Sequence, residues 1–136
     1  MKGYLLDTNV LSEIIRKRPE SRVLEKLRAV DPDRVATSSV CVAELRYGAA
    51  RHAAGGGLWE RIARDVLPHV KILPFGATEA IQAGELMAAL ESKGVTIGTE
   101  DVLIGATALV GDLVVVTRNK RHFDRIPGLA VESWWR

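Results

Sequence analysis

Three acids stand where carboxylate chemistry could be assembled. Asp7 ends the short apolar run Tyr4-Leu5-Leu6, and Thr8, Asn9 and an amphipathic run follow at once. That order reads as a buried first strand with Asp7 at its carboxyl end and Thr8 or Asn9 opening a helix. Ligands of open α/β sheets bind beyond the carboxyl ends of the strands, where Asp7 falls. Asp is also a favoured helix cap, so capping alone is the competing reading. Glu44 has Val40, Cys41, Tyr47 and Gly48 as one-turn neighbours and so shares an apolar helix face. Asp101 stands on the face of Ile104, Gly105 and Ala108. Acids are seldom buried without partners, so two on inward faces call for an explanation. Singly, each has an ordinary one: favourable charge at a helix N-terminus for Asp101, and an ion pair with Arg46 or Arg51 for Glu44.

Together they do not. If Asp7, Glu44 and Asp101 meet, each pair repels by about 4 kcal/mol at ~4 Å and an effective dielectric of about 20. Three such pairs rival the whole stability of a domain, roughly 5–15 kcal/mol. Raised pKa values, a basic side chain or a hard cation must hold that charge. Carboxylate oxygens with room for water suit magnesium or manganese. Zinc is disfavoured, because His52, His69 and His122 lack ligand-like spacing and Cys41 stands alone. Each histidine reads as an ordinary surface or packing residue. A cation held by acids at a sheet mouth serves phosphoryl chemistry, polarising a phosphate and acidifying a water. Arg118, Lys120 and Arg121 follow a strand directly, and Arg16 to Arg18 end the first helix. They form either a solvated rim or one that guides phosphates.

Alternating elements must position these groups. Helical periods run over Thr8–Lys17, Glu20–Val30, Val40–His52, Leu58–Leu67, Thr78–Lys93 and Gly98–Gly111, with one turn at Lys120–Phe123. Between them lie strand candidates at Val35–Thr37, Val70–Pro74 and Leu113–Val116, with a final edge strand at Ala130–Glu132. Such alternation predicts an α/β domain, a parallel sheet with helices on both faces. Thr117-Arg118-Asn119 then falls at the same sheet edge as Asp7. The glycine run 53–57 reads as a linker, since no strand leads into it and no Lys-Ser/Thr pair follows.

Composition bounds the rest. With 136 residues, the chain fits one domain spanning 1–136. No apolar run approaches a membrane span and no signal peptide opens the chain, so a cytoplasmic protein without membrane contact is expected. The single cysteine, Cys41, excludes an internal disulfide and suits that compartment. A net charge of +2 permits nucleic-acid binding without arguing for it.

Four segments carry a resemblance: Tyr4–Glu13, Thr37–Gly48, Asp101–Ala108 and Val116–Asn119. In this order and spacing they resemble the PIN-domain ribonucleases, and most closely the VapC-type toxins of toxin–antitoxin modules. The resemblance implies one PIN-like α/β/α domain with a central parallel sheet flanked by helices, acting as a magnesium- or manganese-dependent endoribonuclease. It makes Asp7, Glu44 and Asp101 the metal-site acids and Thr8 and Asn9 their supports. Thr117 matches a hydroxyl position found beside the acids, and Asn119 falls where many relatives carry a fourth acid. It further implies a homodimer, an RNA substrate and a cognate antitoxin covering the groove, with the 53–57 break in the gripped region. Trp134 and Trp135 either stack on bases or pack the C-terminus, packing being the reading preferred.

Two other classes remain. An inactive relative would use the acids to bind a cation only for structure, with Asn119 marking lost activity in an RNA- or partner-binding module. A phosphatase or receiver would use Asp7 as phosphoryl acceptor. The former wants an acid two residues on, where Asn9 stands, and the latter wants its Asp at a later strand end.

Overall fold

Tyr4–Leu6 (β1), Val35–Ser38 (β2), Lys71–Leu73 (β3), Val114–Val116 (β4) and Val131–Glu132 (β5) form one sheet in the order β3-β2-β1-β4-β5. The computed structural model describes residues 2–51 and 57–135. Every strand pair is parallel, because a crossover separates each strand from the next and returns the chain to the same end. Leu5, Leu6, Val115 and Val116 are wholly enclosed, as expected of central strands covered on both faces. The architecture is a single α/β domain with helices flanking a five-stranded parallel sheet.

The helices are Thr8–Ile14 (α1), Ser21–Ala29 (α2), Ser39–Arg51 (α3), Leu58–Asp65 (α4), Ala77–Ser92 (α5), Thr99–Val110 (α6) and Lys120–Phe123 (α7). Helix α1 ends at Ile14 rather than Lys17, leaving the exposed Arg16–Arg18 run as a connector. Pro19 disfavours helical backbone at the residue before it, so the basic run cannot continue α1 into α2. Helix α5 ends as expected, with Gly94 in the left-handed region at φ 69°. At its start Glu79 Oε1 accepts from the Gly76 N–H at 2.8 Å. The predicted helix end at His52 and the glycine break lie outside the described residues, except Gly57, whose φ of 70° introduces α4.

Helix α5 packs along α6, and α6 also lies close against the segment after α7. A Cβ on Gly105 would stand 2.6 Å from Ile126 Cδ1, so glycine there permits the approach. Trp134 is 1% exposed and meets Tyr4 edge-on at 5.6 Å; packing explains this residue, as preferred from the sequence. Among the described residues no helix is long and apolar enough to cross a membrane.

Candidate active site

Parallel strands put the carboxyl ends of β1, β2 and β4 at one edge, and Asp7 is the first residue past β1. Its N–H donates to Val116 O at 2.9 Å, continuing the ladder towards β4. Its side chain caps α1, with Oδ1 accepting from the Thr8 N–H at 2.8 Å. Oδ2 accepts from the Thr117 hydroxyl at 2.8 Å and from Asn9 Nδ2 at 3.3 Å. The capping role and the place at the sheet mouth are thus both real. A further bond ties the loops after β1 and β4, the Arg118 N–H donating to Asn9 Oδ1 at 3.0 Å, and within the loop after β4 the Asn119 N–H donates to Thr117 Oγ1 at 2.9 Å.

Helix α3 brings Glu44 to this edge, where Oε1 accepts from the Thr8 hydroxyl at 2.6 Å. Asp7, Cys41 and Glu44 place potential ligand atoms within 4.8 Å of one another. Burial pushes the Cys41 thiol up to about 11, with the Asp7 charge adding to it, and a hard cation prefers the carboxylate oxygens to sulfur. Tyr47, expected on an inward face with Glu44, is 63% exposed. That face of α3 is core at Cys41 and becomes a rim towards Tyr47 and Gly48. Arg46 and Arg51 do not neutralise Glu44; their guanidiniums lie over the Trp59 and Tyr47 rings at 5.0 and 4.9 Å.

Asp101, in the first turn of α6, lines the same groove but stands outside the tight group. His122 Nδ1 lies 3.3 Å from its Oδ2. Of the expected trio, Asp7 and Glu44 stand in the tight group, while Asp101 still acts on Asp7 through its charge and has His122 beside its own carboxylate. His122, taken as ordinary from its spacing, is a neighbour of the site. Burial raises the Asp101 carboxyl, His122 opposes this and Glu100 adds to it. Burial also raises Asp7 to about 6; the Thr117 and Thr8 hydrogen bonds oppose the rise, while the Asp101 and Glu44 charges reinforce it.

Asp7, Thr8, Asn9, Glu44, Asp101, Arg118 and Asn119 line a groove of about 440 Å³ together with Ser12, Glu13 and Arg16. Thr117 is fully buried beneath it. Of the predicted basic rim, Arg118 borders the groove, whereas Lys120 pairs with Asp124 at 2.9 Å and Arg121 is exposed on α7. Glu13 is the residue that sequence reasoning passed over. It is 4% exposed and accepts from Arg16 Nη1 at 3.1 Å and from the Glu20 N–H at 2.9 Å. Burial alone would raise its carboxyl; these donors outweigh it and hold Glu13 below the usual range. The signal was an acid on the inward face of α1 with Arg one turn later. Chemically, the groove offers oxygen donors fixed by hydroxyl and amide groups, a set suited to a hard divalent cation.

The PIN domain family profile matches residues 4–129. The tRNA(fMet)-specific endonuclease VapC of Salmonella typhimurium is 34% identical over 98% of this chain and 99% of its own length. Toxin FitB of Neisseria gonorrhoeae is 36% identical over 88% of this chain and 89% of its own. Among solved structures, DNA-bound VapBC from Salmonella typhimurium superposes with a TM-score of 0.89 at 33% identity, covering 98% of this chain and 99% of that chain.

Proposed function

The chain belongs to the PIN-domain family, and from that premise we propose that it is an endoribonuclease, the toxin of a toxin–antitoxin module. The observation that carries the reading is the Asp7–Glu44 carboxylate pair at the sheet mouth, with Asp7 raised to about 6 by burial and, after that, by the charges of Asp101 and Glu44. The relatives named as endonuclease and toxin support it. Asp7 and Glu44, with Asp101 lining the same groove, would hold magnesium or manganese. When bound, such an ion supplies charge neutralisation at the scissile phosphate and a lowered pKa for water.

The chain's own groups do the positioning. Thr8 bridges the two ligand-bearing elements, its N–H on Asp7 and its hydroxyl on Glu44. Thr117 and Asn9 hold Asp7 Oδ2, so the carboxylate need not reorganise. Asn119 presents an amide, which hydrogen-bonds a phosphate without adding charge. RNA is the substrate; Arg118 at the groove meets its phosphates, and Lys120, despite its pairing with Asp124, and Arg121 extend that contact outside the groove. The cognate antitoxin covers the groove, the protein is a cytoplasmic homodimer, and residues 1–136 form a nuclease domain.

The test is cleavage of RNA by the purified chain. Added magnesium or manganese should support cleavage, chelation should abolish it, and Asp7→Asn should remove it without unfolding the protein. Metal-dependent cleavage retained by Asp7→Asn would overturn the site assignment. A wild type that binds RNA and never cleaves it would favour the inactive binding module, the reading that Asn119 keeps alive.

A further inference from the structure

The groove around Asp7 continues past Arg118. Glu13, Arg16 and Arg118 line it and also line an adjoining recess together with Arg18 and Trp135. In that recess the Arg118 guanidinium lies 5.4 Å from the centre of the Trp135 ring. The two terminal tryptophans differ in a telling way. Trp134 is enclosed, and its indole N–H donates to Glu132 Oε1 at 3.2 Å. Trp135 is only half-buried and leaves part of its ring to the recess. The cations differ as well. Arg16 is held by Glu13, whereas Arg118 acts on Glu13 through its charge without closing a salt bridge, and Arg18 forms no salt bridge among the described residues.

We propose that Arg118 and Trp135 form a nucleotide subsite beside the acid groove, where a base of single-stranded RNA stacks while Arg118 and Arg18 meet its phosphates. This rests on the ribonuclease reading above. A strand seated on Asp7 and Glu44 that leaves the groove on this side meets Arg118 first and the ring next. Guanidinium beside an aromatic face is the pairing that sequence-tolerant single-strand binding uses. A paired base offers no free face to the ring, so the subsite selects unpaired segments, loops or ends. An acidic peptide would use the arginines but has no need of the indole, which is why RNA is the occupant argued for.

Binding of a short single-stranded RNA in chelator tests this, read by anisotropy and by tryptophan quenching. Trp135→Leu should weaken binding about tenfold, the range expected for one lost stack. Trp135→Phe should restore most of the loss. In an oligonucleotide scanned with a single abasic nucleotide, one position should cost the wild type that factor and cost Trp135→Leu nothing. Arg118→Ala should lower the slope of log affinity against log salt by about 0.7. In cleavage assays KM should rise by more than kcat falls. Equal RNA affinity of wild type and a folded Trp135→Leu, with quenching unchanged, would overturn the subsite while leaving the ribonuclease reading intact. A wild type that neither binds nor cleaves RNA would fail that reading, and the subsite with it. A polyglutamate peptide that binds with the same dependence on Trp135 would assign the recess to a protein partner instead and overturn the proposal.

Discussion

Asp7 carries two demands, capping α1 and facing two other acids from a buried position. Its carboxyl at about 6, against an ordinary 3.8, corresponds to roughly 3 kcal/mol against the ionised form. The folded value lies above the unfolded one. The protonated group therefore favours the fold fully below about pH 4, and that contribution is lost as pH rises through 6. In chelator the wild type should lose up to about 3 kcal/mol from this residue between pH 4 and 7.5. Asp7→Asn is neutral and nearly isosteric, so its melting temperature should exceed the wild type's by several degrees at pH 7.5 and match it near pH 4. Thermal melts across pH check this, and a difference independent of pH would show that burial of charge is not the cause. Glu13 is the opposite case. Its donors depress it, so its contribution is present at neutral pH and falls away as the solution is acidified.

The elements are short, three or four residues for the strands that carry the site, so position depends on how loops and helices are locked. Asn9 and Thr117 lock the β1 and β4 ends together, and the Thr8–Glu44 bond locks α1 to α3. Helix α6, which carries Asp101, is seated by the contact that Gly105 permits with Ile126. Gly105→Ala should overpack that contact and cost about 1–3 kcal/mol, less whatever alanine's helix preference returns. Calorimetry should show a lower melting temperature, and RNA cleavage should fall because Asp101 rides on the displaced helix. An unchanged melting temperature would show that the Ile126 segment yields freely and does not seat α6.

For the whole molecule, the proposed cation site would make folding and ion binding one equilibrium, since the unfolded chain cannot assemble Asp7, Glu44 and Asp101. Magnesium or manganese should stabilise the fold by about 2.7 kcal/mol at a hundred times its dissociation constant. Glu44→Gln and Asp101→Asn should each blunt the gain, Glu44→Gln more, because Glu44 lies in the tight group with Asp7. Calorimetry with equal stabilisation in the wild type and both variants would mean the acids do not form one site. Titration without RNA should show one tight ion, since Asn119 brings no charge to offset a second. Asn119→Asp should strengthen a second site; two equally tight sites in the wild type would refute this role for Asn119.

Local chemistry made much of the molecule legible before any fold was seen. Apolar runs, helical periods and turn residues marked all five strands and the helices within a few residues, and alternation required the sheet to be parallel. Asp7 at a strand end and Thr117–Asn119 at another followed from that order alone. What the chain order could not contain was distance. A helical period says which residues share a face, but only the packed neighbour decides whether that face is core or rim, as Tyr47 beside Glu44 shows. The Asp101–His122 contact joins two helices 21 positions apart, and Glu13 is buried because the chain folds back to offer it Arg16 and the Glu20 N–H. The same limit separates Trp134 from Trp135. They are adjacent and chemically identical in the sequence, and only the enclosing β-edge and the Arg118 loop make one a core residue and leave the other at a recess.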